Sequence, residues 1–73
     1  MNWEFELILV GIDEEMTDEM LNSLYEAGCS DASVGTRSGH IYLDFARDAE
    51  DYAGAVASAL ADVERAGYKA EVI

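Results

Sequence analysis

The chain has 73 residues, 16 Asp plus Glu against 4 Lys plus Arg, one cysteine and no proline, and its net charge is -12. A composition that is 51% hydrophobic excludes intrinsic disorder, which needs high net charge together with low hydrophobicity; 73 residues allow a single domain, 1–73, with a small core. The sign of the charge opposes direct nucleic-acid binding and binding to an anionic membrane, because both need a basic surface.

The amino-terminal residues Met1-Asn2-Trp3-Glu4-Phe5-Glu6 carry no positive region ahead of an apolar stretch, and the longest apolar run is Leu7 to Val10. Neither a secretory signal nor a membrane span is expected from them. Cys29 has no second cysteine to pair with, so the expected compartment is the cytoplasm.

Residues 3 to 10 alternate, with Trp3, Phe5, Leu7 and Leu9 on one side and Glu4, Glu6, Ile8 and Val10 on the other. That period of two predicts a strand with one apolar and one mixed face. Gly11 to Met16 form an acidic connection. Thr17 then suits an N-cap, with Asp18 and Glu19 in a first turn where carboxylates complement the helix dipole. Met16 and Leu21 take the positions of a hydrophobic staple. Leu21, Leu24, Tyr25 and Gly28 continue one stripe, so the first helix is expected over 18–27.

Ala32 to Arg37 and His40 to Phe45 flank Ser38-Gly39, the pattern of two strands joined by a tight turn. In the second run Ile41, Leu43 and Phe45 point inward, and His40, Tyr42 and Asp44 outward. Asp48 or Asp51 caps a second helix whose stripe is Tyr52, Ala55, Val56, Ala59, Leu60 and Val63. Gly67 ends it, and Tyr68 to Ile73 make a last strand. The order is that of a ferredoxin-like βαββαβ domain of class α+β, a four-stranded antiparallel sheet with two helices on one face. Strands 1 and 3 would be central, and the open face would carry Glu4, Glu6 and Ile8 beside His40, Tyr42 and Asp44.

No catalytic chemistry is expected. RNA-recognition sheets need several stacking aromatics and basic flanks, and here Tyr42 stands among acids. Cys29 and His40 lack the spacing of a nucleophile and its base, so Cys29 reads as a buried packing thiol. No transition-metal spacing occurs, and Asp13, Glu14, Glu15, Asp18 and Glu19 lack the alternation and central glycine of a calcium loop. Neither metal nor cofactor is expected.

The distribution of charge is the informative feature. Residues 1–36 hold nine acids and no Lys or Arg, whereas residues 37–73 hold seven acids and four bases. Self-repulsion on this scale weakens a small fold, and solubility alone needs less charge. The excess points to a partner with a basic surface. Its candidate contacts are Asp13, Glu14, Glu15, Asp18, Glu19 and Glu26, with Glu4 and Glu6 as a second patch.

The stretches Leu24-Tyr25-Glu26-Ala27-Gly28-Cys29-Ser30-Asp31-Ala32 and Gly35-Thr36-Arg37-Ser38-Gly39-His40-Ile41-Tyr42-Leu43-Asp44-Phe45 carry a resemblance. With Ala61-Asp62-Val63-Glu64-Arg65-Ala66-Gly67 they resemble the amino-terminal domain of a family of small bacterial DNA-binding proteins that continue into a helix-turn-helix. The residues 3–72 covered here lack that DNA-reading part, so the resemblance implies an oligomerisation or regulatory domain rather than DNA binding. Contacts would then come from sheet edges or from Ile8, Tyr42 and Ile73.

By size and charge the chain also looks like the anti-CRISPR proteins of phages. That likeness implies an inhibitor whose carboxylates mimic DNA phosphates and block the DNA- or PAM-binding surface of a CRISPR effector subunit in the host cytoplasm. The inhibitory reading is the leading expectation, with a monomer and no enzymatic activity.

Overall fold

The alternation of β1 (Asn2–Val10) is realised in a computed structural model of the chain that describes residues 1–12 and 16–73. Phe5, Leu7 and Leu9 are buried, Glu4 is exposed, and Glu6, Ile8 and Val10 are half-buried. After it come α1 (Asp18–Ala27), β2 (Ala32–Arg37), β3 (His40–Asp48), α2 (Tyr52–Arg65) and β4 (Lys69–Val72). The class is α+β. The four strands form one antiparallel sheet in the order β2-β3-β1-β4, which places β1 and β3 at its centre.

Cross-strand partners share a face, so the register sorts the side chains. Phe5 lies opposite Phe45 and Leu7 opposite Leu43 on the covered face, and Leu9 lies opposite Ala70. Met20 and Leu24 of α1 and Ala55, Ala59 and Val63 of α2 complete a single core with them. Phe5 and Phe45 stack with ring centroids 5.2 Å apart. No helix among the described residues is long and apolar enough to cross a membrane.

Local chemistry explains the element boundaries. The Thr17 hydroxyl accepts the Met20 amide at 3.2 Å, and the Asp51 carboxylate accepts that of Gly54 at 2.6 Å, so each helix starts on a side-chain cap. Ser38 and Gly39 have φ of 51° and 78°, the paired left-handed residues of a two-residue hairpin turn whose twist matches its strands.

Several expectations shift in detail. The buried stripe of α1 runs through Met20 and Leu24, while Leu21 is half-buried and Tyr25 is exposed. Spacings of three and four fit either phase, and tertiary packing selects the one that hides the thioether and leaves the phenol wet. In α2 the fully buried residues are Ala55, Ala59 and Val63. Leu60 lies at the margin of the core, and Tyr52 is exposed. Small residues on the central line let the helix approach the sheet closely. β3 runs on to Asp48, paired with Asn2, so Asp51 alone caps α2. The last strand is shorter than expected, Lys69–Val72.

Candidate functional site

Alternation past Phe45 puts Arg47 on the covered face, opposite Trp3. Its guanidinium lies where the end of α1, the start of β2 and the middle of α2 converge. Nε and Nη2 donate to the two carboxylate oxygens of Asp31 at 2.7 and 2.9 Å, a bidentate pair. Nη2 also donates to the Gly28 carbonyl at 2.8 Å, while Nη1 donates to Ser58 Oγ at 3.0 Å and lies 3.0 Å from Asp62 Oδ2. The guanidinium carbon sits 4.9 Å from the Phe45 ring centroid, within cation–π range. Arg65 closes the cluster by pairing with Asp62 and donating to the Ala27 carbonyl at 3.2 Å.

This cluster is a structural clamp. The side chain of Arg47 is 11% exposed and that of Asp62 14%, so the charges are largely withdrawn from water and satisfied internally. Hydrogen bonding to Arg47 holds the Asp31 carboxyl below its ordinary pKa, against a smaller opposing effect of burial. Gly28, at φ 118°, ends α1 with its amide bonded within the helix. A Cβ there would stand 2.8 Å from Asp62 Oδ2, so glycine serves both the turn and the close approach of α2. Cys29 beside it is fully buried, and burial pushes its thiol pKa up. That environment favours the inert thiol over the reactive thiolate.

The uncovered face of the sheet is the second arrangement of polar groups. Glu4, Glu6, Ile8 and Val10 of β1 lie there with Tyr42 and Asp44 of β3, and Glu71 and Lys69 of β4 flank Ile8 and Val10. Glu6 is directly opposite Asp44, and the neighbouring Asp44 carboxyl raises the Glu6 carboxyl above its ordinary pKa. Arg37 pulls the other way from 3.0 Å. The same guanidinium carbon lies 4.1 Å from the Tyr42 ring centroid, and His40 meets that ring edge-on at 6.5 Å. This face is therefore amphipathic: Ile8 and Tyr42 lie beside the carboxylates of Glu6 and Asp44, and Arg37 reaches over the Tyr42 ring to Glu6.

The structure divides the proposed contacts. Glu4 and Glu6 occupy the uncovered sheet face, and Asp18, Glu19 and Glu26 are exposed on α1, which packs on the opposite face. Asp13, Glu14 and Glu15 lie outside the described residues. α1 contains no Lys or Arg, whereas Glu6 already has a cation beside it. Among the described residues, no three His, Cys, Asp or Glu side chains gather as metal ligands would. The role of Arg47 escapes the sequence reading because its partners are 16 and 15 positions away. Its inward place in the alternation of β3 is the one signal that marks it.

Comparison with known protein families, curated proteins and solved structures finds no match to this chain.

Proposed function

We propose that this protein is an inhibitor that docks its acidic surface on a basic nucleic-acid-binding protein, mimicking the phosphates of DNA. The observation that supports this is the placement of the bases. Arg47 and Arg65 are engaged with Asp31 and Asp62, and Arg37 with Glu6. The helix side, with Asp18, Glu19 and Glu26, keeps its carboxylates exposed and has no base on α1. A surface on which exposed carboxylates outnumber bases gains steered association with a channel lined by Lys and Arg. DNA-holding and PAM-reading surfaces are channels of that kind, so a CRISPR effector subunit in a host cytoplasm is the target class proposed, making the chain an anti-CRISPR protein. The strand order supports reading the scaffold as ferredoxin-like, a fold that by itself selects no function.

A second reading has its own observation. Ile8 and Tyr42 lie half-buried on the uncovered sheet face, and Ile73 is exposed. An oligomerisation or regulatory domain would use these positions, related to the amino-terminal part of a helix-turn-helix regulator. One experiment separates the two. The tagged protein is incubated at low salt with purified CRISPR effector complexes carrying fluorescently labelled target DNA, and both DNA release and the oligomeric state are measured. Displacement of DNA by a monomer supports the inhibitor; self-association without displacement supports the second reading.

A further inference from the structure

We propose that the uncovered face of the sheet is the interface of a two-fold dimer, on which a second copy of this chain packs face to face. The register sorts the side chains of that face into rows running across the strands. Ser33, Asp44 and Glu6 share one row, and Gly35, Tyr42, Ile8 and Glu71 share the next. Two residues further along the strands, Arg37 pairs with His40 on one side of the sheet and Val10 with Lys69 on the other. Neighbouring rows stand about 7 Å apart, two residues of an antiparallel strand. The face is therefore acidic at the Glu4, Glu6 and Asp44 end and basic at the Arg37, His40 and Lys69 end. Half-buried Ile8 and Tyr42 lie between them.

Such a face complements itself. A two-fold axis in the interface, parallel to the rows and over the middle one, reverses the strands of the second copy. It lays the basic end of each copy on the acidic end of the other, and sets Ile8 and Tyr42 against their own equivalents, the isologous arrangement of a symmetric dimer. Face-packed sheets stand about 10 Å apart, so Asp44 of the second copy faces His40 across the gap. The complementarity does not draw on Arg37 and Glu6, which pair within the chain. Asp44, Glu4 and Lys69 have no ion-pair partner among the described residues. Glu71 is the acid nearest the axis, and it is exposed on the outermost strand, where water screens it.

Gly35 is an independent indication. It lies in the interior of β2, where glycine weakens a strand. Its φ is not positive, and pairing with β3 runs through it without a bulge. A Cβ there would meet nothing within 4 Å, so no contact within the described chain requires glycine. Glycine in such a position suits the close approach of another chain. The space it leaves beside Tyr42 lets two Tyr42 rings pass each other in the gap. This inference rests on the oligomerisation reading. The inhibitor reading does not depend on it, because α1 carries Asp18, Glu19 and Glu26 on the opposite side of the sheet.

The test is sedimentation equilibrium over a concentration series at physiological ionic strength, which screens the repulsion between two copies of net charge -12. The parent should sediment as a dimer that dissociates on dilution. His40→Glu sets an acid against Asp44 of the second copy, and Asp44→Lys sets a cation against its basic end. Each should weaken the dimer at least about tenfold, although Asp44→Lys lowers the net charge and would strengthen a nonspecific association. An equal mixture of the two variants should recover the dimer, because each altered residue then meets its opposite. Gly35→Val suits a strand and meets open space within the chain. It should leave the melting temperature of the monomer undiminished while weakening the dimer by a similar factor. A parent that stays monomeric at every concentration would overturn both this proposal and the oligomerisation reading. A dimer that all three variants leave intact, or a mixture that recovers no dimer, would overturn this proposal alone.

Discussion

Among the described residues, Arg47 makes the most side-chain hydrogen bonds, touching Asp31, Gly28, Ser58 and Asp62. Removing the guanidinium leaves the half-buried Asp62 carboxylate and the Gly28 carbonyl without that partner. Arg47→Met should therefore destabilise the protein by about 1 to 3 kcal/mol, the cost of hydrogen bonds lost from partly buried polar and charged groups. Arg47→Lys should cost less but not be neutral, because an ammonium cannot reproduce the guanidinium fork. Chemical denaturation at neutral pH measures both. The Asp31 side of the clamp has a pH signature. Its carboxyl is held below the ordinary value in the folded state, so it contributes stability that is complete above the unfolded pKa, about 4. That contribution is lost as pH falls through the lower folded pKa. The stability advantage of the parent over Asp31→Asn should thus be largest at neutral pH and shrink below about pH 4.

At the scale of elements, the core is built where small residues on α2 meet large ones on the sheet. Leu43 is fully buried on a central strand, between Leu7 of β1 and Val34 of β2. Leu43→Ala should cost about 2 to 5 kcal/mol, the transfer free energy of the lost methyls plus the cavity left behind. Leu60 sits at the margin of the core, where solvent and neighbours can fill the space it vacates. Leu60→Ala should therefore cost distinctly less than Leu43→Ala in the same denaturation measurement. Equal losses would place Leu60 inside the core and require a different rotation of α2.

For the molecule as a whole, the -12 net charge acts against the compact state by self-repulsion. Added salt screens repulsion between exposed carboxylates while acting less on the half-buried contact of Arg47 with Asp62. The melting temperature should rise as sodium chloride is raised from low ionic strength. Replacing Asp13, Glu14 and Glu15 by Asn, Gln and Gln removes three of those charges at constant size. The fold should lose little stability, and that variant's melting temperature should depend less on salt. Binding to a basic partner should weaken and lose part of its salt dependence, since steering falls with charge. Unchanged affinity and salt slope would move the interface to Asp18, Glu19 and Glu26 or to the sheet face.

Periodicity and caps are local properties, and they were legible in the sequence alone. The alternation of Phe5, Leu7 and Leu9, the Thr17 and Asp51 caps, Gly28 at the end of α1 and the Ser38-Gly39 turn each follow from a few neighbouring side chains competing for one backbone geometry. The order of elements and the membership of the uncovered face, with Glu4, Glu6 and Ile8 beside Tyr42 and Asp44, follow from those parities. The phase of α1 does not, because Met20 and Leu21 both satisfy a helical stripe and only the shape of the facing sheet distinguishes them. Register is also a tertiary decision: it sets Glu6 rather than Glu4 against Asp44, and so determines which carboxyl is raised. The same holds for the arginine clamp. Arg47 finds Asp31 and Asp62 only after β3 has carried it to the meeting of two helices. Such contacts depend on where distant segments end relative to one another, a property of the packed sheet that no local run of residues contains.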